Sequence, residues 1–396
     1  MTSRPAKIRI VVLVIAGLLL WMSLYLYLPT LPLYVQSIES NLAVVGAILA
    51  MNGLWQMLGR FPFGIASDLT GRRRPFVIGG LLLGSIGAWM MGGASTSTEL
   101  FIGRSLTGIS ACAWVPLMVA FSSLFKPEEA IKAASLLTLA SSVGRILGTA
   151  GTGFINEWSG GFQLAFQLAS ATALIAALLM AFYPEKRNAQ LKIMSPDQIG
   201  HLVVRPDVLI PTLMSAVLQY GDWAATFSFI PLLAEQFGAT DQYQSARLSF
   251  NMLMMIAGNF MATPLAVRLG QRRVIVICFL LMAVGVGMAA VGASLGILFA
   301  SQLFIGLSIG ISYPVLMGMS IQQVDESQRS TAMGVHQSVY ALGVFGGPWL
   351  SGILADAVGI PVMFAITAAA ILLAGAGLLQ LLPGRRPRKR RRALLG

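Results

Sequence analysis

Along this chain, apolar runs of about 20 residues alternate with short polar breaks from one end to the other. A run of that length crosses ~30 Å of hydrocarbon as a helix. Reading runs against breaks predicts twelve spans. They lie at roughly 8–34, 41–66, 75–94, 98–122, 131–155 and 162–183 and, after a polar connector, at roughly 209–233, 245–267, 273–292, 296–320, 331–354 and 361–382. Helix is the state expected for each, because an open sheet edge in lipid leaves backbone groups unsatisfied. The predicted fold class is an all-α membrane protein with six-helix halves at 1–183 and 209–383, a cytoplasmic connector at 184–208 and a basic tail at 384–396.

Composition excludes the soluble alternatives. The 396 residues are 56% hydrophobic and 11% charged, where a soluble domain is about 25% charged. The 42 glycines and 18 prolines are compatible with membrane helices, which tolerate both. Cys112 and Cys278 are too few and too far apart for a disulfide framework or a zinc site and read as packing residues. His201 and His336 form no metal motif. No phosphate-binding loop, nucleophile elbow or H-E-x-x-H occurs, and no nucleophile–base pair is set up, so no enzyme, metal or cofactor is expected. The N-terminal apolar run leads into Tyr27-Leu28-Pro29-Thr30-Leu31-Pro32 and not into a small-residue cleavage signal, so it reads as a retained first span.

The net charge of +12 is spread over loops and tails, which points away from nucleic acid. With the N-terminus placed in the cytoplasm, inner loops and tails collect 23 of the 27 Lys and Arg, three more (Arg60, Arg104, Arg145) lie within spans, and Arg247 alone falls at the outer edge. This asymmetry orients both termini inward, in a multi-pass protein of the cell inner membrane. The tail Arg385–Arg392 reads as a topology anchor that also touches the anionic surface of the lipid bilayer.

The halves echo each other. Phe101-Ile102-Gly103 matches Phe304-Ile305-Gly306, Gly108-Ile109-Ser110 matches Gly310-Ile311-Ser312, and Gly71-Arg72-Arg73-Arg74 is answered by Gly270-Gln271-Arg272-Arg273. A duplicated six-span unit marks a transporter with its site between the copies. The stretch Gly64-Ile65-Ala66-Ser67-Asp68-Leu69-Thr70-Gly71-Arg72-Arg73-Arg74 fits G-x-x-x-D-x-x-G-R-[KR]-[KR], and here the whole chain resembles the major facilitator superfamily. The resemblance implies alternating access around a central cavity, a monomer, and a cytoplasmic gate formed by Gly64, Asp68, Gly71, Arg72, Arg73 and Arg74 that clasps the halves. In the second copy Thr263 replaces Gly64 and Val267 replaces Asp68, so the clasp is expected on one side only. Arg104-Ser105-Leu106-Thr107-Gly108 resembles the family's span-4 motif linked to proton coupling, and the end of span 1 resembles the twelve-span drug/proton antiporter branch. The branch's Gly-Pro motif in span 5 is not intact, since Arg145 stands where proline is expected, and a similar element appears in span 11 at Gly343–Pro348.

Ionisable groups within lipid are costly and read as functional. Asp222 is the sole acidic residue well inside a span. The resemblance lets it face Arg104 across the cavity, and Arg145 is placed at a similar depth. Asp222, Arg104 and Arg145 are therefore the proton-coupling candidates, with Asp222 as carrier and a neighbouring arginine favouring its charged form. A static ion pair between helices is the other reading. Two arginines against one carboxylate also suit an anionic group on a solute. Arg60 is expected to snorkel to the cytoplasmic face or join the clasp. Tyr25, Asn52, Trp55, Gln56, Gln219, Tyr220, Trp223 and His336 are candidates for an aromatic and amide-lined cavity, or for packing. The function expected is secondary active transport, as proton-coupled efflux of lipophilic or drug-like compounds. The alternatives are uptake or exchange of a small organic anion and, in another class, a transport-inactive sensor or scaffold. The partners expected are a small-molecule substrate, protons and lipid.

Overall fold

Each apolar run folds as helix, and Pro62, Pro211, Pro264, Pro314 and Pro348 lie inside helices without ending them. The computed structural model describes residues 4–125, 129–185, 196–325 and 328–382. Among these residues there is no strand, and ten helices are long and apolar enough to cross a membrane. Span 1 is Arg4–Tyr25 continued, after a turn, by Leu31–Ile38. Spans 2 and 3 are Leu42–Thr70 and Arg74–Gly92. Span 4 is Ser97–Ala111 with Trp114–Ser122, span 5 is Ala130–Ser159 and span 6 is Gln163–Ala181. Span 7 is Pro206–Ala224, a π turn at Ala225–Phe229, and Ile230–Gln236. Spans 8 to 12 are Asp241–Leu269, Gln271–Ala290, Leu295–Ile321, Arg329–Val358 and Ile360–Leu381.

Spans 5 and 7 are not among the ten, for a readable reason. Span 5 carries Arg145 amid small and polar residues, and span 7 is divided by its π turn. Within the predicted connector, Pro196–Val203 is a helix packed on spans 7 and 11. Lys186, Arg187 and Lys192 of that connector, and the tail Arg385–Arg392, lie outside the described residues.

Polar caps fix where spans 2, 4, 8 and 10 begin. Asn41 Oδ1 accepts from the Val44 N–H, Thr96 and Glu99 form a capping box, and Thr240 and Ser294 accept from Tyr243 and Ile297. Span 2 ends at Gly71, whose φ of 63° is the left-handed conformation that glycine adopts without a Cβ clash.

The main packing pairs of the first half have partners in the second. Span 1 packs on 5 as 7 packs on 11, 3 on 6 as 9 on 12, 3 on 4 as 9 on 10, and 2 on 4 as 8 on 10. Across the halves, 2 packs on 11 and 8 on 5, again a matched pair. Small residues let these backbones touch. A Cβ on Gly148 would lie 2.9 Å from the Met22 carbonyl oxygen of span 1, and one on Gly347 would lie 2.7 Å from that of Tyr220 in span 7. Five residues on, a Cβ on Gly153 would come within 2.6 Å of Gln242 Cα in span 8, and one on Gly352 within 2.7 Å of the Leu42 oxygen in span 2.

Candidate functional site

The halves are tied together at the end away from Arg72–Arg74. There Gly153 N–H donates to Ser245 Oγ at 2.7 Å, the hydroxyls of Thr149 and Ser249 lie 3.0 Å apart, and Asn156 donates to Asp241 at 2.9 Å. Gln242 also donates to Glu157. Toward the arginine loop the contact thins. Beyond Gly258, span 8 buries only Ala262, and Phe260 and Val267 are each 80% exposed. A cleft of about 320 Å³ at the tied end, lined by Leu33, Gln36, Ser37, Leu232, Glu235 and Gln236, does not include Asp222.

Asp222 occupies the last turn before the break in span 7. It is 2% exposed and is the sole buried carboxylate among the described residues. Among the described residues its Oδ1 has no hydrogen-bond partner. Arg104 and Arg145 do not pair with it, contrary to expectation: among the described residues the ion pairs within 4.0 Å are Arg73–Asp68 and Arg205–Asp207. The cation that interacts with Asp222 is Arg247 of span 8. Arg247 was expected at the outer edge and is fully buried, because its helix starts at Asp241, before the apolar run does.

Arg145 has a different support. Its guanidinium carbon stands 3.7 Å from the Trp21 ring centre and 5.3 Å from that of Tyr25, so two aromatic faces hold the charge. Trp21 in turn meets Trp114 edge to face at 5.5 Å. Arg104 is buried beside Tyr25 and Tyr27, and its Nε has no partner. Tyr25 is the element common to both halves, since Arg145, Arg104, Asp222 and Tyr340 all act on its hydroxyl.

The other cavity candidates divide into two groups. Asn52, Trp55 and Gln56 sit on span 2. A Cβ on Gly108 of span 4 would be 2.9 Å from Asn52 Cα and 3.1 Å from Trp55 Cβ, so this face of span 2 is a helix contact. Gln56 accepts from Arg60, which donates through Nη1 to the Tyr340 hydroxyl of span 11 at 2.8 Å. Arg60 therefore neither snorkels nor joins the clasp; it is buried and bridges the halves. On span 7, Gln219 is buried, the Tyr220 hydroxyl lies 3.2 Å from Ser351 Oγ, and Trp223 stacks on Phe227 at 4.6 Å. His336 is fully buried, with Nδ1 3.2 Å from Thr212 Oγ1 and its ring edge to face with Tyr313 at 6.3 Å.

In the arginine loop Asp68 pairs with Arg73 at 3.3 Å. Glu185, just after span 6, accepts from the backbone N–H of Arg73 and, at 3.0 Å, of Arg74, while the Arg74 side chain donates to the Ala181 carbonyl. Arg72 is exposed. A Cβ on Gly64 would meet Val115 at 3.4 Å, an ordinary contact. Among the described residues, no group of three His, Cys, Asp or Glu side chains converges as a metal site.

Sequence reasoning missed Arg247 and the role of Arg60 as a bridge. Both carried a signal: an arginine within helical reach of an apolar run, facing hydrocarbon unless a partner is found.

The sequence fits the family model described as Major Facilitator Superfamily over residues 13–216 and again over 212–395. Multidrug resistance protein 2 of Bacillus subtilis (strain 168) is 24% identical over 342 residues, 84% of each chain. The putative niacin/nicotinamide transporter NiaP of the same organism is 30% identical over 83% of this chain and 84% of its own. The crystal structure of a bacterial homolog to the human lysosomal transporter Spinster, inward-facing and occupied, superposes with a TM-score of 0.80 at 14% identity, covering 96% of this chain and 97% of that one.

Proposed function

Because this chain belongs to the Major Facilitator Superfamily, as a multi-pass membrane transporter and not an enzyme, we propose that it exports a small lipophilic or drug-like organic compound in exchange for protons. The observation that carries this reading is Asp222: the sole buried carboxylate among the described residues, free of any ion pair within 4.0 Å, beside the break in a span. A carboxylate so placed takes a proton when the cavity faces one side and yields it when the cavity faces the other. The likeness to Multidrug resistance protein 2 supports export. In this reading Arg104 and Arg145 set the charge of the cavity and Tyr25, Gln219, Tyr220 and Trp223 belong to its wall, while Asn52, Trp55, Gln56 and His336 serve the contacts between spans behind it. The loop Gly64–Arg74 is the cytoplasmic gate, both termini are cytoplasmic, and the tied end faces outward in the monomer in the cell inner membrane.

A second reading has its own observation. Among the described residues Arg104 and Arg145 have no carboxylate partner within 4.0 Å, and a guanidinium without one suits an organic anion. The test uses everted membrane vesicles with an acid interior and a pH-sensitive dye, and adds ethidium or benzoate. Proton release on adding ethidium, lost in Asp222→Asn at normal expression, supports export of a drug-like compound. Release with benzoate alone moves the function to anions, and undiminished release in Asp222→Asn refutes proton carriage by Asp222.

A further inference from the structure

The break in span 7 leaves a carbonyl that its own helix cannot serve. In an α-helix the Ile230 N–H would go to Thr226 O, but here it goes to Ala225 O. The donor that a π turn would offer to Thr226 O is residue 231, which is proline and has no N–H. Span 8 supplies the missing donor: Arg247 Nη2 donates to Thr226 O at 3.1 Å. Gln244 braces it, accepting from Arg247 Nε at 3.3 Å and donating through Nε2 to the Pro231 carbonyl at 2.9 Å.

Two vacancies sit at this staple. Among the described residues neither Arg247 Nη1 nor Asp222 Oδ1, one turn before Thr226, has a hydrogen-bond partner, and the Thr226 side chain also acts on Asp222. Both side chains are buried and each feels the other's charge. The other titratable groups acting on the pair are Tyr243 of span 8, on Arg247, and Tyr25 of span 1, on which Asp222 acts. No ion pair within 4.0 Å joins Arg247 to Asp222, so the guanidinium must shift from where it holds the carbonyl to reach the carboxylate, and a charged acceptor draws it more strongly than a neutral one.

We propose that Arg247 is a positioning residue through which the proton on Asp222 controls the broken stretch of span 7. With Asp222 protonated, Arg247 stays on the Thr226 carbonyl and the stretch is closed. With Asp222 ionised, the guanidinium turns to the carboxylate and the carbonyl is released. The segment that follows, Ile230–Gln236, packs on Leu31–Ile38 of span 1 at the tied end, so the release loosens that seal. This inference rests on the proton-carrying role proposed for Asp222.

Hydrogen exchange on the full-length protein in detergent tests it, read for residues 224–236 at acid and alkaline pH after correction for the intrinsic rate. In the wild type, protection of this segment falls roughly tenfold or more at alkaline pH, the loss of one hydrogen bond to a charged group. In Asp222→Asn it stays high at both. In Arg247→Gln it is low at both, while residues 208–219 keep their protection. The same pH response in Asp222→Asn as in wild type overturns the proposal, as does wild-type protection in Arg247→Gln. Should Arg247→Gln not fold, the Asp222→Asn comparison decides alone. Loss of proton release in Asp222→Asn with an unchanged exchange profile refutes the role of Arg247 only; retained proton release refutes the reading beneath it.

Discussion

Arg145 rests its guanidinium 3.7 Å from the centre of the Trp21 ring, so a helix of the first half holds a cation on an aromatic plane where a carboxylate would be the usual counterpart. A desolvated contact of this kind contributes about 2 kcal/mol. Trp21→Leu is expected to lower the melting temperature in detergent, and Trp21→Tyr to lower it less. In a double-mutant cycle, Arg145→Met costs less in the Trp21→Leu background than alone; additive losses would show that the stacking is idle.

Thr149 and Ser249 present their hydroxyls 3.0 Å apart across spans 5 and 8. Cysteines at both positions are expected to oxidise to a disulfide, with the buried Cys112 and Cys278 leaving the background low. The bond would lock the tied end and stop transport, and reductant would restore it. Full transport by the oxidised protein would mean that this end never opens.

Arg60 and Tyr340 form the polar link between spans 2 and 11. Tyr340→Phe removes an acceptor from a buried guanidinium, which costs about 1–3 kcal/mol. The loss is expected to show in thermal unfolding, and Arg60→Met in the Tyr340→Phe background should recover part of it. No change on Tyr340→Phe would mean that water replaces the hydroxyl.

Gly148 and Gly347 each meet a backbone carbonyl of the neighbouring span. Leucine at either is expected to abolish the monodisperse peak in size-exclusion chromatography. Alanine at Gly377, where a Cβ would have nothing within 4 Å, is expected to raise stability by about 1 kcal/mol.

The spans, the internal repeat and the lone place of Asp222 among the acidic residues were legible because each depends on local spacing or on the plain cost of charge in lipid. The partner of Asp222 was not. Hydropathy placed Arg247 at an edge, since apolar runs mark where lipid begins and not where a helix does; Thr240 caps span 8 well before its apolar part. Another signal lay in the sequence unread. Gly144, Gly148 and Gly153 recur as Gly343, Gly347 and Gly352 at one constant offset, and both sets mark the face a span shows to its own half and then to the other. Spans 4 and 10 and one charged loop drew the repeat alignment, whereas the glycines of spans 5 and 11 gain meaning only beside what they touch. The π turn was out of reach as well: Pro231 announces a break, but which carbonyl goes unserved depends on the register that Ile230 adopts.

That unserved carbonyl also constrains how the chain is built. A nascent chain that ends before span 8 holds Thr226 O against hydrocarbon with no donor, at a cost of several kcal/mol. Span 7 therefore reaches its full depth in the bilayer only in company. Arg247 gains by the same meeting, since alone it would carry a bare charge into lipid. Two segments that are each poor passengers of the insertion machinery complete one another, and the hairpin of spans 7 and 8 is the smallest unit of the second half that enters the membrane with both of these needs met.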